Sequence, residues 1–159
     1  MNLLRQLTFV LSRFLICAWV GAAILFVITS VAEQTSDNFN DVVKDQLALI
    51  RFPYYYLVGF IMVGGSLASL ALTERGQFRV RWWLSIGLLS AALAIMLIDY
   101  FAIYMPLQNI ITPAGQPRNE EFERYHTYSE YVNTLHVGIA FIVAMLLCSI
   151  GMGKSKAVS

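Results

Sequence analysis

Long apolar runs separated by short polar stretches dominate the chain, and their periods predict helices throughout. A helix needs about 20 predominantly apolar residues to cross the hydrocarbon core of a bilayer. The runs at 14–32, 54–72, 82–105 and 131–152 meet that requirement. The first follows Arg5 and Arg13 and closes on Ser30-Val31-Ala32, which looks like a signal-peptide cleavage site. Its apolar stretch exceeds the ~7–15 residues of a signal core, so it is expected as a retained helix.

The polar stretches have periods of their own. In SDNFNDVVKDQLALIRF, Phe39, Val42, Val43, Leu47 and Ile50 recur at helical spacing, with Asp41, Lys44 and Asp45 on the opposite face. Ser36 or Asp37 can cap its start, and the pattern predicts an amphipathic helix lying on the outer surface. Pro113, Gly115 and Pro117 make 108–118 irregular. Asn119 then caps a helix whose first turn holds Glu120, Glu121 and Glu123, the charge sign favoured at a helix N-terminus. Running unbroken into the fourth span, that helix would project some 15–20 Å beyond the membrane at about 1.5 Å per residue. The expected fold is therefore all-α. It is a four-transmembrane-helix bundle with an amphipathic outer-surface helix and an extended fourth helix, forming one integral membrane domain over 1–159.

Composition agrees with this pattern. Of 159 residues, 58% are hydrophobic and 13% charged, against about 25% charged in soluble domains; mean hydropathy is +0.63. A net charge of +1 and the lack of any basic run give no reason to expect a nucleic-acid partner. Cys17 and Cys148 lie in apolar runs without CxxC spacing and read as small buried hydrophobes.

Charge also sets an expected direction. Arg5, Arg13, Arg75, Arg79, Arg81, Lys154 and Lys156 share one side with a single acid, Glu74. The other side carries Lys44, Arg51, Arg118 and Arg124 among eight acids. Lysine and arginine mark the cytoplasmic side, so both termini are expected in the cytoplasm and the membrane is read as the plasma (inner) membrane. All eight tyrosines fall near the opposite boundary, where an amphipathic ring has one wet end. Small residues at four-residue spacing, such as Ala18/Ala22, Gly65/Ser69, Gly87/Ala91 and Ala140/Ala144, are candidates for close helix packing.

The polar residues within the spans supply the candidate chemistry. Asp99 is the one acid inside a span, and an acid at mid-membrane costs about 2.5–3.5 kcal/mol on insertion scales. It is expected to face the bundle and pair with His136 or Arg51. His136, Asn133, Arg51 and Tyr100 lie at a similar level, and with Asp99 they form a candidate polar cluster: a structural network joining helices, or an outward-facing pocket for a small ligand, metal or proton. His126, Ser129 and Asn133 fall within about 60° of one another on the fourth helix. His126 is expected to lock that helix to the surface helix or the Arg51 region, with Asn133 extending the lock across to a neighbouring helix. The rival is that His126 heads a ligand site lined by Tyr54, Tyr55 and Ser129.

No GxSxG, HExxH, phosphate loop or dinucleotide fingerprint is present, so no catalytic residue is expected. Bis-histidine haem is not expected because His126 lies outside the spans, and a His–Met pair is disfavoured because Met62, Met96 and Met145 lie deeper than His136. The methionines form no copper-binding cluster. No cofactor and no metal site are expected.

The runs AWVGAAILFV, RFPYYYLVGF and FERYHTYSEYVN resemble the transmembrane-protein-205-like family, also described as a domain of unknown function (DUF4149). The resemblance implies a four-span α-helical membrane protein, with suggested roles in tolerance to toxic compounds or in membrane trafficking. It singles out Arg124, Tyr125, His126, Ser129 and Asn133. The extra His136 and the longer acidic first loop depart from the family pattern. Two functions are compatible with these observations. The first is an accessory, structural bundle that docks other membrane proteins or a second copy within the lipid bilayer. The alternative is a protein that binds or transports a small molecule, metal or ion through the polar cluster.

Overall fold

The computed structural model describes residues 3–73 and 79–149. Glu74, Arg75, Lys154 and Lys156 from the charge count, and the end of the fourth span up to Met152, lie outside the described residues.

Four helical passages make the bundle. α1 is Leu3–Gln34 and α2 is Asp41–Ala71. The third passage is α3 (Arg79–Asp99), a π-helical turn (Tyr100–Tyr104) and α4 (Met105–Ile110); α5 is Glu120–Ser149. Four of the helical stretches are long and apolar enough to cross a membrane, and only 22–28% of each apolar window is buried inside the protein. Leu25, Ile28, Ile61, Leu84, Ile98 and Phe141 all face outward. So many exposed large apolar residues require an apolar solvent, and the fold is that of a membrane four-helix bundle. α1 packs on α2 and α5, and α3 packs on the same two helices, which closes an antiparallel ring. The bundle has a loop end, where 35–40 and 111–119 lie, and a terminal end, where the chain starts and α5 finishes.

The expected surface helix is helical but not separate. Asn40, rather than Ser36 or Asp37, caps it by accepting from the Val43 N–H at 2.9 Å. It then runs without interruption through Pro53 into the second span as α2. Proline withdraws one backbone donor but is tolerated in membrane helices, where neighbouring groups re-satisfy the freed carbonyl. The cap at Asn119 matches the sequence reading: its side chain accepts from the Phe122 N–H at 2.8 Å.

The buried stripe of α1 is Ile16, Trp19, Val20 and Ala23, at three- and four-residue spacing. It meets Tyr56 and Val63 of α2, Leu89 and Met96 of α3, and Ala140 and Val143 of α5 in one core. The Ala22 and Gly87/Ala91 positions instead face outward. Close approach between helices is made elsewhere. Ser12 and Ser66 exchange hydroxyl-to-carbonyl bonds of 3.0 Å in both directions across α1 and α2. A Cβ on Gly59 would lie 2.4 Å from Met96 Cε and 2.7 Å from Trp19 Cη2, so only glycine lets those two side chains meet over α2.

Candidate functional site

Successive helical residues point about 100° apart, so the Tyr54-Tyr55-Tyr56 run sends three rings in three directions. Tyr54 is exposed to the membrane side, Tyr55 turns toward α1 and α5, and Tyr56 turns toward α3. Two adjacent polar networks grow from the inner pair.

The first is Tyr56 with Asp99. Asp99 is fully buried, and the Tyr56 hydroxyl donates to its Oδ2 at 2.7 Å. The partners expected for Asp99 were His136 or Arg51, and both are displaced by Tyr56. The physical reason is azimuth: Asp99 faces α2, whereas Arg51 is drawn to α1. There Arg51 forms an ion pair with Glu33, donates to Thr29 Oγ1 at 2.7 Å and to Ser30 Oγ at 3.3 Å, and lies over the Phe26 ring. The π-helical turn after Asp99 brings Tyr100 and Tyr104 onto Tyr56, with ring centroids at 5.2 and 4.9 Å. Tyr100 therefore enters the cluster through its ring.

The second network runs along α5. Asn133 Oδ1 accepts from the Tyr55 hydroxyl at 3.1 Å and lies 2.8 Å from His136 Nε2. Asn133 Nδ2 donates to Ser129 Oγ at 3.2 Å. With its amide nitrogen turned to Ser129, Asn133 presents an acceptor to His136, which assigns the ring proton to Nε2. Trp19 stacks near the buried imidazole at 6.2 Å. Asn133 thus joins α5 to α2, as expected. Asp99 Oδ1, His136 Nδ1, Trp19 Nε1 and Tyr104 Oη are buried with no hydrogen-bond partner among the described residues.

His126 does not make the expected lock. Its ring stacks on Phe122 at 5.6 Å, and its Nε2 lies 3.3 Å from Glu130 Oε1, both on its own helix. Neighbours at i−4 and i+4 are presented on the same face at no cost in loop closure. Arg124 lies over the ring of Tyr125. The lock between the 111–119 loop and α2 is made by Asp45, a residue the sequence reading placed on the face opposite the apolar one. Asp45 is 4% exposed, accepts from the Gly115 N–H at 2.9 Å and pairs with Arg118 at 3.7 Å. Gly115 has φ +86°, and a Cβ there would lie 2.7 Å from Val42 Cγ2, so the turn needs glycine twice over.

These networks border a cavity of about 1000 Å³ between α1, α2, α4 and α5 at the loop end. Its polar end carries Glu33, Asp45, Arg51, Arg118, His126 and Glu130. Tyr55, Tyr104, Ser129 and Asn133 line its middle. Its apolar end lies between Val20, Ala23 and Val27 of α1 and Val137, Gly138 and Phe141 of α5. The outward-facing Ile28, Val31, Tyr131 and Phe141 flank the mouth, so the cleft opens sideways between α1 and α5 toward lipid. Of the ligand site expected around His126, the cleft gathers Tyr55 and Ser129 but leaves Tyr54 out. Asp99, His136 and Tyr100 lie behind its wall.

At the terminal end the same two helices close. Cys17 and Cys148, read as buried, are exposed on the bundle surface with sulfurs 3.7 Å apart. No group of three His, Cys, Asp or Glu that could hold a metal occurs among the described residues. The arrangement defines a class: a membrane four-helix bundle with a laterally open, amphipathic cleft. No family model matches the chain, and no curated protein or solved structure matches it either.

Proposed function

We propose that this protein binds an amphiphilic molecule of the bilayer, without altering it chemically, in the cleft between α1, α2 and α5. The observation that carries this reading is one cavity, charged at one end and apolar at the other, whose mouth faces lipid. Small-molecule sites are mostly apolar concavities with a few placed polar groups and reach about 1000 Å³. The charge asymmetry of the chain supports cytoplasmic termini, a cleft in the outer leaflet, and the plasma (inner) membrane as location. Membership of the transmembrane-protein-205-like family belongs to this proposal, supported by the RFPYYYLVGF and FERYHTYSEYVN runs, which supply Tyr55, Ser129 and Asn133. An accessory role, docking other membrane proteins or a second copy, would draw on the outward apolar faces. Lipid alone covers such faces, so the cleft gives binding the stronger support.

The test uses Gly138, which lines the cleft and has open space where a Cβ would sit. Native mass spectrometry of protein released from vesicles is expected to show retained lipid on the wild type and a marked loss on Gly138→Trp. Equal retention by both would overturn the reading.

A further inference from the structure

Resting on that reading, we infer that the cleft's occupant is a zwitterionic phospholipid bearing an ammonium group, selected over anionic lipid. The depth of the cleft points to a lipid of one leaflet. Its α5 wall from 131 to 141 rises about 15 Å at ~1.5 Å per residue, and its α1 wall between 20 and 31 is of similar length. That is half of a hydrocarbon core of about 30 Å. The charged residues lie at one end of this wall, where a headgroup would be.

The charge balance at that end selects the headgroup. Arg51 and Arg118 line the cleft with three carboxylates, Glu33, Asp45 and Glu130. Each guanidinium already has its own acid: Arg51 holds Glu33, and Arg118 lies 3.7 Å from Asp45. Among the described residues, Glu130 pairs with His126 alone. An anionic headgroup brings no cation to that surplus carboxylate and faces it with like charge. An ammonium meets that carboxylate directly, while the phosphate of the same headgroup finds guanidinium donors beyond those the acids use. The wider field has the same sign, because the two outer segments and adjoining helix ends carry eight acids against Lys44, Arg51, Arg118 and Arg124.

The experiment places the full-length protein in nanodiscs of equal parts phosphatidylethanolamine and phosphatidylglycerol, and measures the lipid retained after release. The ethanolamine lipid is expected to be enriched about two- to fivefold over the bulk ratio, the range an exposed charge pair supplies. Glu130→Lys, on a side chain that is 67% exposed, is expected to abolish or invert the enrichment, read as the ratio of the two lipids retained. Retention at the bulk ratio, or enrichment of the glycerol lipid, overturns the headgroup assignment; if Gly138→Trp still reduces total lipid, the cleft itself stands. Unchanged total retention by Gly138→Trp removes the cleft reading and this inference with it.

Discussion

The two ends of the bundle solve the same packing problem in opposite ways. At the terminal end, α1, α2 and α5 close through small groups: the reciprocal Ser12–Ser66 bonds and the Cys17–Cys148 contact. At the loop end, α1 and α5 part around the cleft. The helices there are joined by tyrosines, by Asn133 and by ion pairs of long side chains. Lipid provides no hydrophobic drive for helix association, so a bundle can hold together at one end by close backbone approach and leave space at the other. The polar links at the loop end tie α2 to each of its neighbours, to α1 through Arg51–Glu33, to α3 through Tyr56–Asp99 and to α5 through Tyr55–Asn133.

Two glycines break or sharpen this comparison most strongly. Gly59 sits where Trp19 and Met96 converge, whereas Gly138 faces open cleft. Gly59→Leu is expected to destabilise the protein by about 3 kcal/mol or more, as an overpacked core does. Gly138→Leu is expected to be neutral or slightly stabilising, because leucine is the better helix former by about 0.8 kcal/mol. Thermal unfolding of both variants in one detergent checks the pair, and equal losses would show that the cleft is closed in the working protein.

Next in size is Tyr56→Phe, which leaves the Asp99 carboxylate buried without its donor. A loss of about 1.5–3 kcal/mol is expected, the scale of a hydrogen bond to a charged group. Tyr55→Phe is expected to cost less, because Asn133 keeps His136 as a second partner. Equal costs would mean that the two networks act as one.

How far these residues were legible in the sequence follows from what each depends on. The helices and the Asn119 cap depend on local spacing and were readable. That Asp99 faces the bundle follows from the cost of its charge in lipid. Its partner was not readable, because a matched depth on two helices leaves their relative rotation open. Tyr54, Tyr55 and Tyr56 are set apart only by successive turns of about 100°. His126 shares a polar stripe with Ser129 and Asn133, yet stays with Phe122 and Glu130 on its own helix. Pro53 beside an amphipathic segment reads as a break in water, whereas α2 runs through it. The cleft arises from the divergence of α1 and α5, which no local period records. The Arg51–Glu33 pair was within reach, since both residues flank the same level of their helices.

The latch on the 111–119 loop is expected to have a smaller effect. Asp45→Ala removes the acceptor for Gly115 and the partner of Arg118, at about 1–2 kcal/mol. Its signature is faster hydrogen exchange over 111–119, with the terminal half of the bundle unaffected. Smallest is mild oxidation, which is expected to join Cys17 to Cys148 within one chain with little change in unfolding temperature. Protection of both thiols from alkylation, lost in Cys148→Ser, checks it; persistent free thiols would contradict closure at the terminal end.

Lipid occupancy of the cleft is tested most directly by a photoactivatable phospholipid carrying a diazirine on its acyl chain, incorporated into vesicles with the full-length protein. Peptide mapping is expected to place the adducts on the cleft walls, at 20–31 of α1 and 134–141 of α5. Far fewer are expected at Leu84 and Ile98, which are equally exposed to the bilayer. Adducts spread evenly over all outward apolar faces would contradict a bound lipid and reduce the cleft to ordinary membrane-facing surface.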